Sequence, residues 1–412
     1  MHAIAVIAMA GEGRVDSRAR AASTVASGLG MNGPNAVDVV CAACGTAVSG
    51  PEFCCRCGAR LDQGQASKRQ HTRRSFAAAP DEPAWALRLT STLFPQLPAR
   101  DLGAFRVALG SGISLIVMLG VAGLFSVGLT AAAVLVPLLT LLYCYDVDIY
   151  EDEPLRVVGL TMAWGLFAGI GLGLALGHLE LPLQAHGWEQ LTDASVATRV
   201  FLVPLASLTL ALIGPLVLLR FPRFNDVLDG VTFGAASAVT LWCATMLVAA
   251  WPLTEVGLRP DQDAGLWTLR LVELGVLVPT IAASSVGWAA GALWLRFRSP
   301  GEHRDALGLF GRLTVALATA FALVVLAALA QQVLSPLGCA LALAALAAVA
   351  VVLVRRAIHL GLLDEIDEIE PGTDITCTNC DRRTPLGNFC GRCGIAFRAL
   401  PKRPGGRERA SK

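Results

Sequence analysis

Charge is scarce in this sequence: Asp, Glu, Lys and Arg make up 16% of its 412 residues, hydrophobic residues make up 54%, and mean hydropathy is +0.59. A soluble domain of this size needs about a quarter of its residues charged to cover its surface, so that class is excluded. The net charge of +1 leaves no overall basic excess to point to nucleic acid. No Lys or Arg precedes the first apolar stretch, Ala3 to Ala10, which therefore makes a poor secretory leader. Gly11 to Asn35 has no hydrophobic periodicity and reads as disordered, with Met31 as an alternative start. Histidine is missing from the hydrophobic runs altogether: all six, at positions 2, 71, 178, 186, 303 and 359, lie outside them.

Cysteine, by contrast, is present in a pattern. Cys41-x2-Cys44-x9-Cys54-x2-Cys57 near one end and Cys377-x2-Cys380-x9-Cys390-x2-Cys393 near the other have identical spacing. Their second knuckles match further, as Phe53-Cys54-Cys55-Arg56-Cys57-Gly58 and Phe389-Cys390-Gly391-Arg392-Cys393-Gly394, so a whole module is repeated. Each C-x-x-C turn aims two thiolates at one point, and four thiolates satisfy tetrahedral Zn²⁺ with no position left for water. Such a closed site is structural, and the ion supplies folding free energy to segments too short to build a core. Two structural zinc ions in a reducing compartment are the expectation. Iron of rubredoxin type, or a redox dithiol, is the alternative, because soft thiolates serve those too. Cys55 is the spare by comparison with the second module, although a C-x-C arrangement stays open. Cys144, Cys243 and Cys339 stand singly in apolar runs, where a thiol behaves as a small core residue.

Stretches long enough to cross ~30 Å of hydrocarbon, roughly 20 residues, occur near 107–127, 129–145, 155–177, 200–219, 228–251, 270–295, 309–333 and 335–354. The expected fold is an all-α polytopic membrane protein of about eight transmembrane helices flanked by two small zinc ribbons, with six or seven spans as alternatives where the turns are short. Parity decides whether the ends share a side. Arg220, Arg223, Arg296, Arg298, Arg304, Arg355 and Arg356 fall in loops that share a side with both termini, whereas the opposite loops offer Arg199 and Arg259. The positive-inside rule then places both termini in the cytosol, in a plasma membrane of the bacterial inner-membrane kind.

The domain reading is 1–36 disordered, 37–62 first ribbon, 63–100 polar linker, 101–356 transmembrane domain, 357–374 acidic amphipathic connector, 375–398 second ribbon and 399–412 basic tail. In the connector, Leu362, Leu363, Ile366 and Ile369 recur at helical spacing among acidic residues. It reads as a helix leaving the membrane with a solvated face, or as a docking surface. Arg270 and Glu273, three residues apart near a membrane segment, are expected to pair at the interface. His178 and His186, flanking Glu180 in an outer loop, read as solvated, with metal binding the sharper alternative. Gly165, Gly169, Gly171, Gly173 and Gly177 permit close helix packing.

Two stretches carry a resemblance. They are Tyr143-Cys144-Tyr145-Asp146-Val147-Asp148-Ile149-Tyr150-Glu151-Asp152-Glu153-Pro154 and Phe224-Asn225-Asp226-Val227-Leu228-Asp229-Gly230-Val231-Thr232-Phe233-Gly234-Ala235-Ala236. With the hydrophobic layout they resemble the PrsW family of intramembrane metalloproteases over roughly 104–295. That resemblance implies a Glu-Glu-x-x-Lys motif, a Phe-x-x-x-Glu motif and a His-containing motif on three spans. In this sequence Ser207, Leu208 and Ala211 stand at the first set of positions, Leu241 and Thr245 at the second, and Leu277 to Gly287 contains neither His nor Asp.

No catalytic residue is therefore assigned. The reading is a degenerate, inactive relative: a non-catalytic membrane scaffold whose ribbons or acidic connector meet protein partners, with a homo-oligomer compatible and nucleic acid not expected. The alternatives are a metal-dependent intramembrane peptidase using non-standard residues such as Glu151, Asp152 or Glu153, and a transporter. Against the transporter stand the few intramembrane charges and the lack of a repeat between the halves of the membrane block.

Overall fold

The computed structural model describes residues 39–41, 47–48, 52–56, 58, 60–61, 104–147, 155–178, 197–224, 226–249, 264–298, 312–364, 374–387, 389–395 and 397. A two-residue hairpin, β1 (Val39–Val40) and β2 (Ala47–Val48), precedes the helices, and a second hairpin, β3 (Asp374–Thr376) and β4 (Arg383–Pro385), follows them. Between them lie α1 (Ala104–Val121), α2 (Phe125–Val147), α3 (Leu155–His178), α4 (Val203–Leu218, entered through a π-helical turn Thr198–Leu202) and α5 (Val227–Ala249). α6 runs as Ala264–Val272, a π-helical turn Glu273–Leu277, then Val278–Arg298; α7 (Leu313–Val333) and α8 (Pro336–Asp364) complete the set.

Seven of these are long and apolar enough to span a bilayer. The eighth expected span is the shorter one: the apolar part of α1 is Val107–Val121. Its end explains the difference from the expected 107–127. Gly123 takes φ +71°, and Gly123 N–H and Leu124 N–H close back on Gly120 and Leu119 carbonyls, so the chain turns before Phe125. Ser335-Pro336 turns the chain likewise: the Ser335 carbonyl accepts Cys339 N–H at 2.7 Å, and Pro336 occupies the first helical position.

α5 and α6 are the centre of the bundle, 72% and 78% buried, while the other spans are 28–39% buried. Outward residues such as Phe167, Met118, Leu337 and Leu341 are exposed, as lipid-facing positions should be. Close approach rests on glycine. Gly165, Gly169 and Gly173 of α3 lie against α5, where an added Cβ would meet Ser237 carbonyl, Leu241 carbonyl and the Val248 side chain. Gly171 and Gly177 of the same run face open space, so three of the five glycines carry the packing. Thr245 donates to the Gly169 carbonyl at 3.1 Å across that contact.

The Asp229-Gly230 run at the start of α5 has a packing explanation too. Asp229 Oδ2 accepts the Asp226 N–H and caps the helix. A Cβ on Gly230 would come within 2.8 Å of the Trp294 ring, and one on Gly234 within 2.7 Å of Ala290 Cβ. Phe233 is fully buried between Phe224 and Trp294, whose indole N–H donates to the Phe224 carbonyl at 3.2 Å.

Candidate metal centre

The second cysteine module is the candidate site. β3 pairs antiparallel with β4 in the register Asp374↔Pro385, Ile375↔Thr384, Thr376↔Arg383, which brings Cys377 to the end of the hairpin. Asp381 N–H bonds the Cys377 carbonyl and Cys377 N–H the Arg382 carbonyl, closing the first knuckle. The second knuckle closes through Gly394 N–H to the Cys390 carbonyl, with Gly394 at φ +70°, a conformation in which a side chain would be strained.

The result is four thiols at one point. Cys377, Cys380, Cys390 and Cys393 have sulfurs within 4.8 Å of one another; Cys377 and Cys393 are 3.9 Å apart, Cys380 and Cys390 3.8 Å. A tetrahedron with zinc–sulfur bonds of ~2.3 Å has edges of ~3.8 Å, so the donor set fits a four-sulfur metal site. Asn379 donates to Cys393 Sγ and Arg392 N–H to Cys390 Sγ. Burial pushes the Cys377 thiol up to about 12. Burial acts on Cys390 as well, but the backbone N–H groups of Cys393 and Arg392 together with the Cys377 and Cys393 thiols outweigh it and hold that thiol below its ordinary value. Cys390 is thus the sulfur the backbone prepares as a thiolate.

In the first module Cys41 and Cys54 are buried together with Val48 and Cys55, while Cys44 and Cys57 lie outside the described residues. What is described repeats the backbone register of the second module. β1 and β2 pair as Val39↔Val48 and Val40↔Ala47, the positions of Ile375↔Thr384 and Thr376↔Arg383. Gly58 N–H bonds the Cys54 carbonyl at φ +68°, as Gly394 does to Cys390.

The two modules also touch, which their sequences do not announce. Phe53 N–H donates to the Gly391 carbonyl at 3.0 Å, and Phe389 N–H donates to the Cys55 carbonyl at 2.9 Å. Phe53 corresponds to Phe389 and Cys55 to Gly391, so the exchange is reciprocal about a local two-fold axis. Glu52 N–H adds a second bond to Gly391 at 3.2 Å. A Cβ on Gly58 would lie 2.8 Å from the Phe389 ring, and one on Gly387 2.6 Å from the Cys55 carbonyl. Phe389 also belongs to the buried cluster of the helices, with Phe224, Trp294 and Ile358 among its members. Cys55, the spare thiol of the sequence, is buried at this junction.

The positions where catalytic groups were sought are packed. Leu208, Ala211 and Leu241 lie in that same helical cluster, and the Ser207 hydroxyl is spent on the Pro204 carbonyl. Cys243 and Cys339 are buried, as expected of core thiols. No histidine side chain, and none of Glu151, Asp152, Glu153 or Glu180, is among the described residues. α8 continues to Asp364, so the helix does run on toward the acidic connector, whose remainder lies outside the described residues.

Three expectations are corrected. Arg355 and Arg356, read as loop cations, are buried in α8 within the span Pro336–Ile358, because that helix runs on to Asp364. Arg199, read as a loop cation, is buried within the span Thr198–Leu218, because the π-helical turn starts the helix before residue 200. Glu273 is not at an interface: it is 4% exposed, and Arg270, whose charge still acts on its carboxyl, has its guanidinium 5.6 Å over the Trp267 ring. Comparison with protein-family models, with curated proteins and with solved structures gives no match.

Proposed function

We propose that the protein is a non-catalytic membrane scaffold in which two zinc ribbons pair into one cytosolic platform. Cys377, Cys380, Cys390 and Cys393 would hold one zinc ion, and Cys41, Cys44, Cys54 and Cys57 the other. Each ion supplies folding free energy and no reactive water, since all four positions are filled by sulfur. The observation that carries this reading is the reciprocal pair of hydrogen bonds between the modules, together with Phe389, which joins them to the helical core. Modules that grip each other and the bundle form a fixed surface, as a platform for protein partners requires.

Their contact also bears on topology. It supports an arrangement with both modules on one side, which would require an even number of crossings between them. α1 supplies the eighth: Phe105 at its start meets the Tyr143 ring near the end of α2, centroids 5.2 Å apart, so the two helices traverse nearly the same depth. An 18-residue helix is ~27 Å long, close to the thickness required. Arg220 and Arg223, in the turn between α4 and α5, favour the cytosol for that side. The apolar filling at Leu208, Ala211 and Leu241 favours the inactive form of the PrsW resemblance over the peptidase.

Elemental analysis of the detergent-purified chain tests the proposal. Two zinc ions per chain are expected, falling to one in Cys377→Ser/Cys390→Ser. A ratio of one in the unaltered chain would remove the paired-ribbon reading. A third metal that survives replacement of the module cysteines would restore the peptidase.

A further inference from the structure

The end of the bundle that Phe389 joins carries a cationic rim with aromatic rings set in it. Between α4 and α5 the chain turns through Arg220-Phe221-Pro222-Arg223, and the turn is closed by its own backbone. Phe221 N–H donates to the Leu218 carbonyl at 2.9 Å and Phe224 N–H to the Phe221 carbonyl at 3.1 Å. α6 ends on a similar run, Arg296-Phe297-Arg298. Trp294 ties the two together, since its indole N–H donates to the Phe224 carbonyl. Arg220, Arg223 and Arg296 are exposed, and so are the rings beside them: Phe221 is 45% and Phe297 62% exposed. The Arg223 guanidinium is held 6.0 Å over the buried Phe224 ring. No acidic side chain among the described residues pairs with these three arginines. Of the two nearest in sequence, Asp229 is buried and caps α5, and Asp226 is half-buried.

Depth selects the partner. The apolar spans end at Leu218 and at Phe297, so both exposed rings lie at the edge of the hydrocarbon with guanidiniums beside them. Aromatic rings that face acyl chains below a row of arginines are the pattern of a surface built for the headgroup boundary. The guanidinium fork matches the oxygens of a phosphate, and arginine keeps its charge beside lipid. We propose that this rim binds anionic phospholipids of the leaflet nearest the modules. Arg220, Arg223 and Arg296 take the phosphates, while Phe221 and Phe297 lie against the upper part of the acyl chains. A soluble anion would answer the arginines and leave both rings uncovered. The proposal rests on α4 and α6 crossing the bilayer and is independent of how many zinc ions the modules hold.

The test is native mass spectrometry of the full chain released from nanodiscs of equal parts phosphatidylglycerol and phosphatidylcholine. Phosphatidylglycerol is expected to be retained in preference. A basic residue near an anionic surface is worth about fivefold in affinity, so Arg223→Gln and Arg296→Gln should each lower that preference by about this factor. Arg383→Gln removes the same charge from an exposed position of the second module and should leave the preference unchanged. Phe221→Ser should lower retention of both lipids alike. Should Arg223→Gln fail to elute as a folded protein, Arg296→Gln decides. No preference in the unaltered chain, or an equal fall in Arg383→Gln, overturns the proposal and leaves only general surface charge. Displacement of the retained lipid by inorganic phosphate overturns it too, in favour of a soluble anion.

Discussion

The two cysteine modules are copies that have diverged where they meet. The first has Val48, Pro51 and Cys55 where the second has Thr384, Gly387 and Gly391. In the second, the Thr384 hydroxyl accepts the Gly391 N–H at 2.8 Å while the Gly391 carbonyl faces the first module. Gly387 is small where the Cys55 carbonyl approaches. The hairpin register and the positive-φ glycine after each second knuckle are unchanged. The cysteine spacing is identical in the two modules, and the differences at these three positions lie at the junction.

The largest break in this symmetry is expected from the metal. Cys390→Ser removes the thiol that the backbone N–H groups favour as a thiolate, and the second module should lose its ion and its protection from proteolysis. Apparent zinc-binding energies of ~10–16 kcal/mol in comparable peptides set the scale. The same ligand gives the pH dependence: Cys390 is held low, so the stability it contributes is present at alkaline pH and lost as pH falls through its value. Metal release measured with a chromogenic chelator should therefore rise on acidification.

Phe389→Ala comes next. It removes a ring that is 2% exposed and joins module to bundle, at a cost of ~3–5 kcal/mol. Thermal unfolding should show the loss, and hydrogen exchange at Phe53 should accelerate. Phe53→Ala should cost less, since the Phe53 ring lies outside the helical cluster and under Arg60 of its own module, at 5.3 Å. Equal effects would mean that the modules are not fastened through the second.

Gly58→Ala and Gly394→Ala share a backbone penalty of ~1–2 kcal/mol for leaving glycine at positive φ. Gly58→Ala adds a clash with Phe389, so it alone should separate the modules, read as faster exchange at the Phe389 amide. Of similar size is Thr384→Val, which puts the first module's residue into the second and leaves Gly391 N–H unpaired, for ~1–3 kcal/mol in thermal unfolding.

Long hydrophobic runs gave away most of the helices, because crossing a bilayer demands length, and cysteine spacing gave away the module because a tetrahedron demands it. The junction was illegible for the opposite reason. Its bonds are made by the backbone of Phe53, Cys55, Phe389 and Gly391, and backbone groups carry no sequence signal. The Asp229-Gly230 run was visible as a familiar stretch, but its packing against Trp294 and Ala290 depends on a helix far along the chain. Glu273 was visible and misplaced, since its burial depends on packing against helices distant in the chain.

The junction finally sets an order of events during synthesis. The first module is complete once Cys57 has been made, yet its partner surface at Phe389 and Gly391 emerges only after every membrane helix. At ~5–20 residues per second, the interval is on the order of tens of seconds. The reciprocal bonds can form only after every intervening helix has been made. Pairing of the two modules is thus the last contact of the fold to become available, however early the first module is complete.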